Sequence, residues 1–189
     1  MKVYLAGPEV FIPNARMVLD EKIELTRAYG FVPVCPGDLE TPASLTGKAR
    51  GLATSEINER LMLSADFIIA NLTPFRGIAA DVGTVYELGF MCGRGCPAYA
   101  FTNIAVGHYE RVKDYYGGDL RTDELGAVRG PDGLELETYD MTDNLMLDGG
   151  IESRKGVVIR HAAAPDKLYS DLTGFRECLA VASKQLLGR

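Results

Sequence analysis

Apolar and polar positions along the chain fall into blocks whose period changes from one to the next. Lys2–Ala6 is a short apolar run that stops at Gly7-Pro8, as a strand does. Asn14–Tyr29 carries Met17, Val18, Ile23 and Leu25 on a helical spacing, and Gly30 stops it. Phe31–Cys35 reads as a second strand, closed by Pro36-Gly37, and Asp38–Gly47, rich in Pro, Gly and Thr, reads as a loop. Arg50–Ser64 predicts a second helix. Asp66–Leu72 (DFIIANL) is apolar nearly throughout, as expected of a strand covered on both faces. Thr73–Ala80 is a loop, Asp81–Arg94 a third helix and Pro97–Thr102 a fourth strand.

Strands and helices that alternate in this way predict a parallel α/β sheet with helices on both faces. Beyond Thr102 the pattern weakens. Asn103–Tyr139 is polar and Gly-rich with an RGPDG turn, and is either an irregular insert or holds a small hairpin. Thr142–Ser153 predicts a helix and Val157–Arg160 the fifth strand. Leu168–Leu187 predicts the last helix, with Gly174 as a candidate interruption. No internal repeat or linker divides the 189 residues, so one domain is expected.

Composition narrows the function classes. A formal net charge of -6 repels a phosphate backbone, so nucleic acid is not an expected partner. Met1-Lys2 leads straight into VYLAG, which leaves no room for a signal core, and no apolar run is long enough to span a bilayer. A cytoplasmic protein without membrane contact is the expectation. Of Cys35, Cys92, Cys96 and Cys178, only Cys92 and Cys96 are close in sequence, and the histidines His108 and His161 are remote from them. Reduced thiols, and no metal site, are therefore expected.

Ligands of open parallel sheets bind beyond the carboxyl ends of the strands, near the point where strand order reverses. That directs attention to Gly7–Phe11, to Asn71–Asp81 and to the segment after the fourth strand. No GxGxxG follows the first strand and no GxxxxGK[ST] occurs, which argues against dinucleotide and nucleoside-triphosphate enzymes. The informative stretch is DVGTVYELG, Asp81–Gly89. Asp81 stands where a helix N-cap is expected, and Thr84 and Glu87 share a face near the helix start. Gly83 and Gly89 each cost a helix about 1 kcal/mol relative to Ala, which suggests close approach by a backbone or a ligand.

Each candidate also has an ordinary reading. An N-cap Asp and a solvated helical Glu are common, and Tyr4 within a strand is by default a packed ring. Asn58 and Asn144 fit surface or capping positions. Phe75-Arg76-Gly77 is either a lid with a base-stacking ring or a turn, and Phe11 either a stacking platform or a hydrophobic staple.

Taken together, YLAGPEVF, ANLTPFRGIAADVGTVYELG and the later DNLML resemble the motifs of the nucleoside 2-deoxyribosyltransferase family, in the right order. The resemblance covers about residues 1–102 and, briefly, 140–150. It implies a flavodoxin-like five-stranded parallel sheet, and transfer of 2-deoxyribose between nucleobases by cleavage of the N-glycosidic bond. Glu87 matches the family's nucleophile and Asp81 the residue associated with proton transfer to the base. Tyr4 matches a Tyr that hydrogen-bonds the nucleophilic carboxylate. Asn58 falls where the family contacts the nucleoside, and Asn144 matches an Asn delivered from a neighbouring subunit, which implies a homo-oligomer with shared sites. Gly7 and Pro8 in the first loop, and Gly83 at the start of the third helix, fall in the matching motifs and are expected to contact the substrate. Phe11 and Phe75 are placed to stack on the base, with Arg76 closing the pocket.

The chemistry suits these residues. A carboxylate traps an oxocarbenium-like carbon covalently and a second base then attacks, with overall retention and without metal or organic cofactor. Deoxyribonucleosides and free bases are the expected partners. Two rivals share much of the pattern. One is an N-glycosidase of 2′-deoxynucleoside 5′-monophosphates, disfavoured by Glu9 if that carboxylate faces the pocket. The other is a nucleoside-binding protein without turnover, disfavoured by the presence of both carboxylates.

Overall fold

The computed structural model describes residues 1–189. Five strands form one parallel sheet: β1 (Lys2–Ala6), β2 (Val32–Val34), β3 (Phe67–Asn71), β4 (Ala98–Thr102) and β7 (Val158–Arg160), in the order β2-β1-β3-β4-β7. This is the flavodoxin-like order. The chain moves from β1 to one side, then returns to place β3 on the other, so strand order reverses between β1 and β3.

Two cores lie on the two faces. Tyr4, Ala6, Ile68, Ala70, Ala98 and Ala100 point to one side. There they meet α2 (Gly47–Ser64), α3 (Val82–Gly93) and α5 (Leu145–Glu152) through Ile57, Leu61, Met62, Leu88, Met91, Leu147 and Ile151. The alternate residues Val3, Leu5, Phe67, Ile69, Tyr99 and Phe101 face α1 (Ala15–Ala28) and α6 (Thr173–Ala182). Every residue of β3 and β4 is buried, which explains why their sequences lack polar alternation.

Two particular contacts set helix positions. The Arg94 guanidinium, just past α3, donates to the carbonyls of Met62, Leu63 and Ala65 and so ties the end of α2 to the end of α3. Gly174 does not interrupt the last helix. It lies in the first turn of α6, where an added Cβ would stand 2.9 Å from the Cβ of Phe101, so its role is close packing on β4. The segment predicted as helix from Leu168 instead becomes helical only at Thr173, after a short 3-10 turn at Pro165–Lys167, and ends in a π turn at Ser183–Leu187.

Of the two readings of region 103–139 the small hairpin is the one present, and a helix that was not expected precedes it. The helix is α4 (His108–Tyr115), and the antiparallel hairpin is formed by β5 (Arg121–Thr122) and β6 (Val128–Arg129). No helix is long and apolar enough to cross a membrane. The four cysteines are free.

Candidate functional site

The reversal of strand order places β1 beside the helix that follows β3, and the two exchange the decisive contact. Tyr4 is fully buried in β1, and its hydroxyl donates a 2.7 Å hydrogen bond to Oε1 of Glu87 on α3. The helix starts where the sequence predicted, because Asp81 caps it: Oδ2 accepts from the Thr84 N–H at 3.0 Å and from the Thr84 hydroxyl at 3.2 Å. Two turns later Glu87 is half-buried. Burial, first, pushes its carboxyl up to about 7; the Tyr4 bond opposes this, and the nearby Asp81 charge adds to it. Burial, and then the Glu87 charge, hold the Tyr4 phenol well above its ordinary value, so it stays a donor.

Glu87 opens on a cleft of about 190 Å³ whose walls include Ser55, Asn58, Met62, Gly83 and Tyr86. Asn58 also borders a second recess of about 370 Å³ beneath the loop that carries Leu39, Glu40 and Thr41. Its side chain makes no hydrogen bond within the chain, so Asn58 is neither a capping residue nor tied to a neighbour. Gly83 is exposed, and a Cβ there would meet only Asp81 Oδ2, at 3.0 Å. Nothing lies within 4 Å of a Cβ at Gly89, so no close backbone approach accounts for that glycine. The structure thus gathers Tyr4, Asn58, Asp81, Gly83 and Glu87 in one place.

The other sequence candidates are not among the residues that line that cleft. Phe11 and Phe75 do not frame an open slot: their rings stack on each other, centroids 5.3 Å apart. The Arg76 guanidinium stands over both rings, at 5.4 and 4.7 Å, with its backbone in the left-handed region at φ 55°. Phe11 is no staple buried under a helix, because it is 56% exposed. Tyr169, which the sequence reading missed, packs edge-on against Phe75 and donates to the Pro74 carbonyl at 2.6 Å. Asn144 is an exposed N-cap of α5. Its Oδ1 accepts from the Met146 N–H, and its Nδ2 donates to Glu137 Oε1 at 2.6 Å.

Gly7 and Pro8 are buried at the turn after β1, and Gly7 lines a separate recess of about 230 Å³ with Leu5, Glu9 and Lys22. Glu9 does not face the Glu87 cleft. Its Oε1 accepts from Lys22 Nζ and from Asn71 Nδ2, each at 3.0 Å, with both charged side chains nearly inaccessible. Glu9, committed to Lys22 and Asn71, therefore does not guard the Glu87 cleft against a phosphate as expected from the sequence. A signal for this pair was present: Lys22 falls four residues after Val18 and four before Thr26, in the buried stripe of α1. No group of three or more His, Cys, Asp and Glu side chains is arranged to hold a metal ion.

With this geometry in place, the likeness to known proteins is decisive. The model of the family described as Nucleoside 2-deoxyribosyltransferase matches residues 3–146. The chain belongs to the nucleoside 2-deoxyribosyltransferase family. An uncharacterized protein of Schizosaccharomyces pombe is 32% identical over 167 residues, covering 82% of this chain and 79% of the relative. The solved 2-desoxiribosyltransferase of Leishmania mexicana superposes with a TM-score of 0.62 at 24% identity, covering 98% of each chain. That likeness in fold extends over the 103–139 region and α6, beyond the reach of the sequence motifs.

Proposed function

We propose that this member of the nucleoside 2-deoxyribosyltransferase family is an enzyme that transfers 2-deoxyribose between nucleobases, with Glu87 as the covalent carrier. One observation carries the reading: a half-buried carboxylate whose sole hydrogen bond within the chain comes from a buried phenol. A glutamate kept only to cap or solubilise a helix gains nothing from such a position, whereas a nucleophile needs one oxygen fixed and the other open.

In the proposed reaction, Glu87 Oε2 attacks C1′ of a 2′-deoxyribonucleoside as the bond to the base breaks, and Tyr4 holds Oε1. Asp81 uses only Oδ2 in capping, which leaves Oδ1 to give a proton to the departing base and later to take one from the incoming base. Attack by that base on C1′ frees Glu87, and two inversions give net retention. Asn58 has an uncommitted amide facing the same cleft and is assigned to the nucleoside. Asn144 is assigned to the site of a neighbouring copy in a homo-oligomer. Arg76 with Phe11 and Phe75 is assigned to a cover that must unstack before it meets a base.

Incubation with deoxyinosine, with and without adenine, tests the reading. New deoxyadenosine is the expected product. Free hypoxanthine without any acceptor, most of all from deoxyinosine monophosphate, identifies a hydrolase, and unchanged substrate a binding protein.

A further inference from the structure

The DNLML motif contributes a residue that the proposed reaction leaves unused. Asp143 is 2% exposed, and it is paired with an Arg from the segment where no helix was expected. Arg111 of α4 is 8% exposed and spends its guanidinium almost entirely on backbone: Nε donates to Ile78 O at 2.8 Å, Nη1 to Val106 O at 2.7 Å and Nη2 to Thr142 O at 2.9 Å. Nη2 also reaches Asp143 Oδ2 at 3.1 Å. That same Oδ2 accepts from the Ala80 N–H at 3.0 Å, while Oδ1 accepts from the Asn144 N–H at 2.9 Å. Asp148 steadies the arrangement from below by accepting from the N–H groups of Thr142 and Asp143. His108 Nδ1 stands 3.9 Å from Asp143 Oδ1, beyond hydrogen-bond reach, and is not part of it.

One buried ion pair thus gathers the loop before α3, the start of the insert and the turn before α5. Desolvation makes such a pair a poor device for stability alone, since an apolar pair of similar volume serves as well. The rigid fork of a guanidinium is instead suited to fixing several carbonyls in one geometry. The residues it fixes stand next to two site residues: Ala80 immediately precedes Asp81, and Asp143 immediately precedes Asn144. We infer that Arg111 and Asp143 are positioning residues that hold the Asp81 carboxyl at the distance proton transfer requires. They act through Ala80 and touch no substrate. The inference rests on the assignment of proton transfer to Asp81 made above.

Leaving-group dependence separates positioning from bulk stability. A natural purine departs from deoxyribose with a proton, whereas 4-nitrophenolate departs without one. On Arg111→Lys and Asp143→Asn, kcat/KM for deoxyinosine should fall about 10²-fold, and for 4-nitrophenyl 2-deoxyriboside by less than about threefold. Asp81→Asn should give the same selectivity with a larger loss. Melting temperatures identify any variant that is merely unfolded, and the other variant then decides. Equal losses on both substrates in folded Arg111→Lys or Asp143→Asn, with selectivity kept in Asp81→Asn, overturn the positioning role alone. Equal losses in Asp81→Asn as well overturn the proton-transfer assignment, and with it the purpose given to the pair.

Discussion

Two carboxylates flank the same end of β1 and have opposite surroundings. Glu9 is 5% exposed and has a full counter-charge: Lys22 and the Asn71 amide both bond its Oε1. Glu87 is half-buried and receives only a neutral phenol. A buried charge with a counterion anchors chain segments, here the turn after β1, α1 and the end of β3. A buried charge without one stays reactive, because burial has raised its energy relative to the protonated form. Gly7 shows how tightly the anchored site is built, since a Cβ there would fall 1.9 Å from Glu9 Oε2 and 2.9 Å from the Cβ of Asn71. The contrast assigns chemistry to Glu87 and architecture to Glu9.

The most direct way to break this contrast is Glu87→Ala. Turnover should fall by several orders of magnitude while the circular-dichroism spectrum stays native and the melting temperature does not fall, because the residue supplies a bond to the substrate and is not needed by the fold. Near-normal transfer by that variant would remove Glu87 from the reaction. The complementary change, Lys22→Ala, strands the Glu9 charge in the interior and should cost about 3–5 kcal/mol in urea unfolding. A loss below about 1 kcal/mol in that experiment would mean that Glu9 relaxes to solvent, and that the two carboxylates differ less than the geometry implies.

The contrast also marks what the sequence made legible. The strands, the α3 helix and the Asp81 cap were readable because apolar period and capping chemistry agree there. The ordered motifs named Tyr4 and Glu87 and, through the resemblance, implied the hydrogen bond that joins them. What escaped was wherever charge is buried. Lys22 sits in the apolar stripe of α1, where a hydropathy pattern counts it as a break. α4 is only eight residues long and mostly polar, and its one buried side chain is Arg111, so it carries no apolar stripe long enough to read as a helix. The mutual stacking of Phe11 and Phe75 was also hidden, since aromatic residues 64 positions apart carry no local signal of contact.

Tyr4→Phe sharpens the comparison by taking away the one partner Glu87 has. A hydrogen bond to a charged group contributes about 1.5–3 kcal/mol, so kcat/KM should fall about 10- to 100-fold while the packed ring keeps the strand intact. The bond also favours ionised Glu87, so its loss should move the Glu87 titration to higher pH. A Tyr4→Phe variant with unchanged rate and unchanged pH profile would reduce the hydrogen bond to packing.

The smallest expected effect is the pH dependence of the unmodified protein, and rate and stability should run in opposite directions. As a nucleophile Glu87 works only when ionised, so kcat/KM should rise with pH up to a limb near 7 and fall about tenfold per unit below it. Stability responds to the same proton. The folded protein binds it more tightly than the unfolded chain, whose ordinary value is 4.5. The stabilisation from protonated Glu87 is therefore complete below about 4.5 and is lost as pH rises through about 7. Glu87→Gln has no such proton, so between pH 5 and 8 the melting temperature of the wild type should decline relative to that variant. Parallel melting curves across this range would show that Glu87 titrates at its ordinary value, and that its half-buried position does not hold a carboxylate in reserve. A limb near 7 in the rate, matched by a loss of relative stability over the same interval, would instead tie catalysis and its structural cost to a single group.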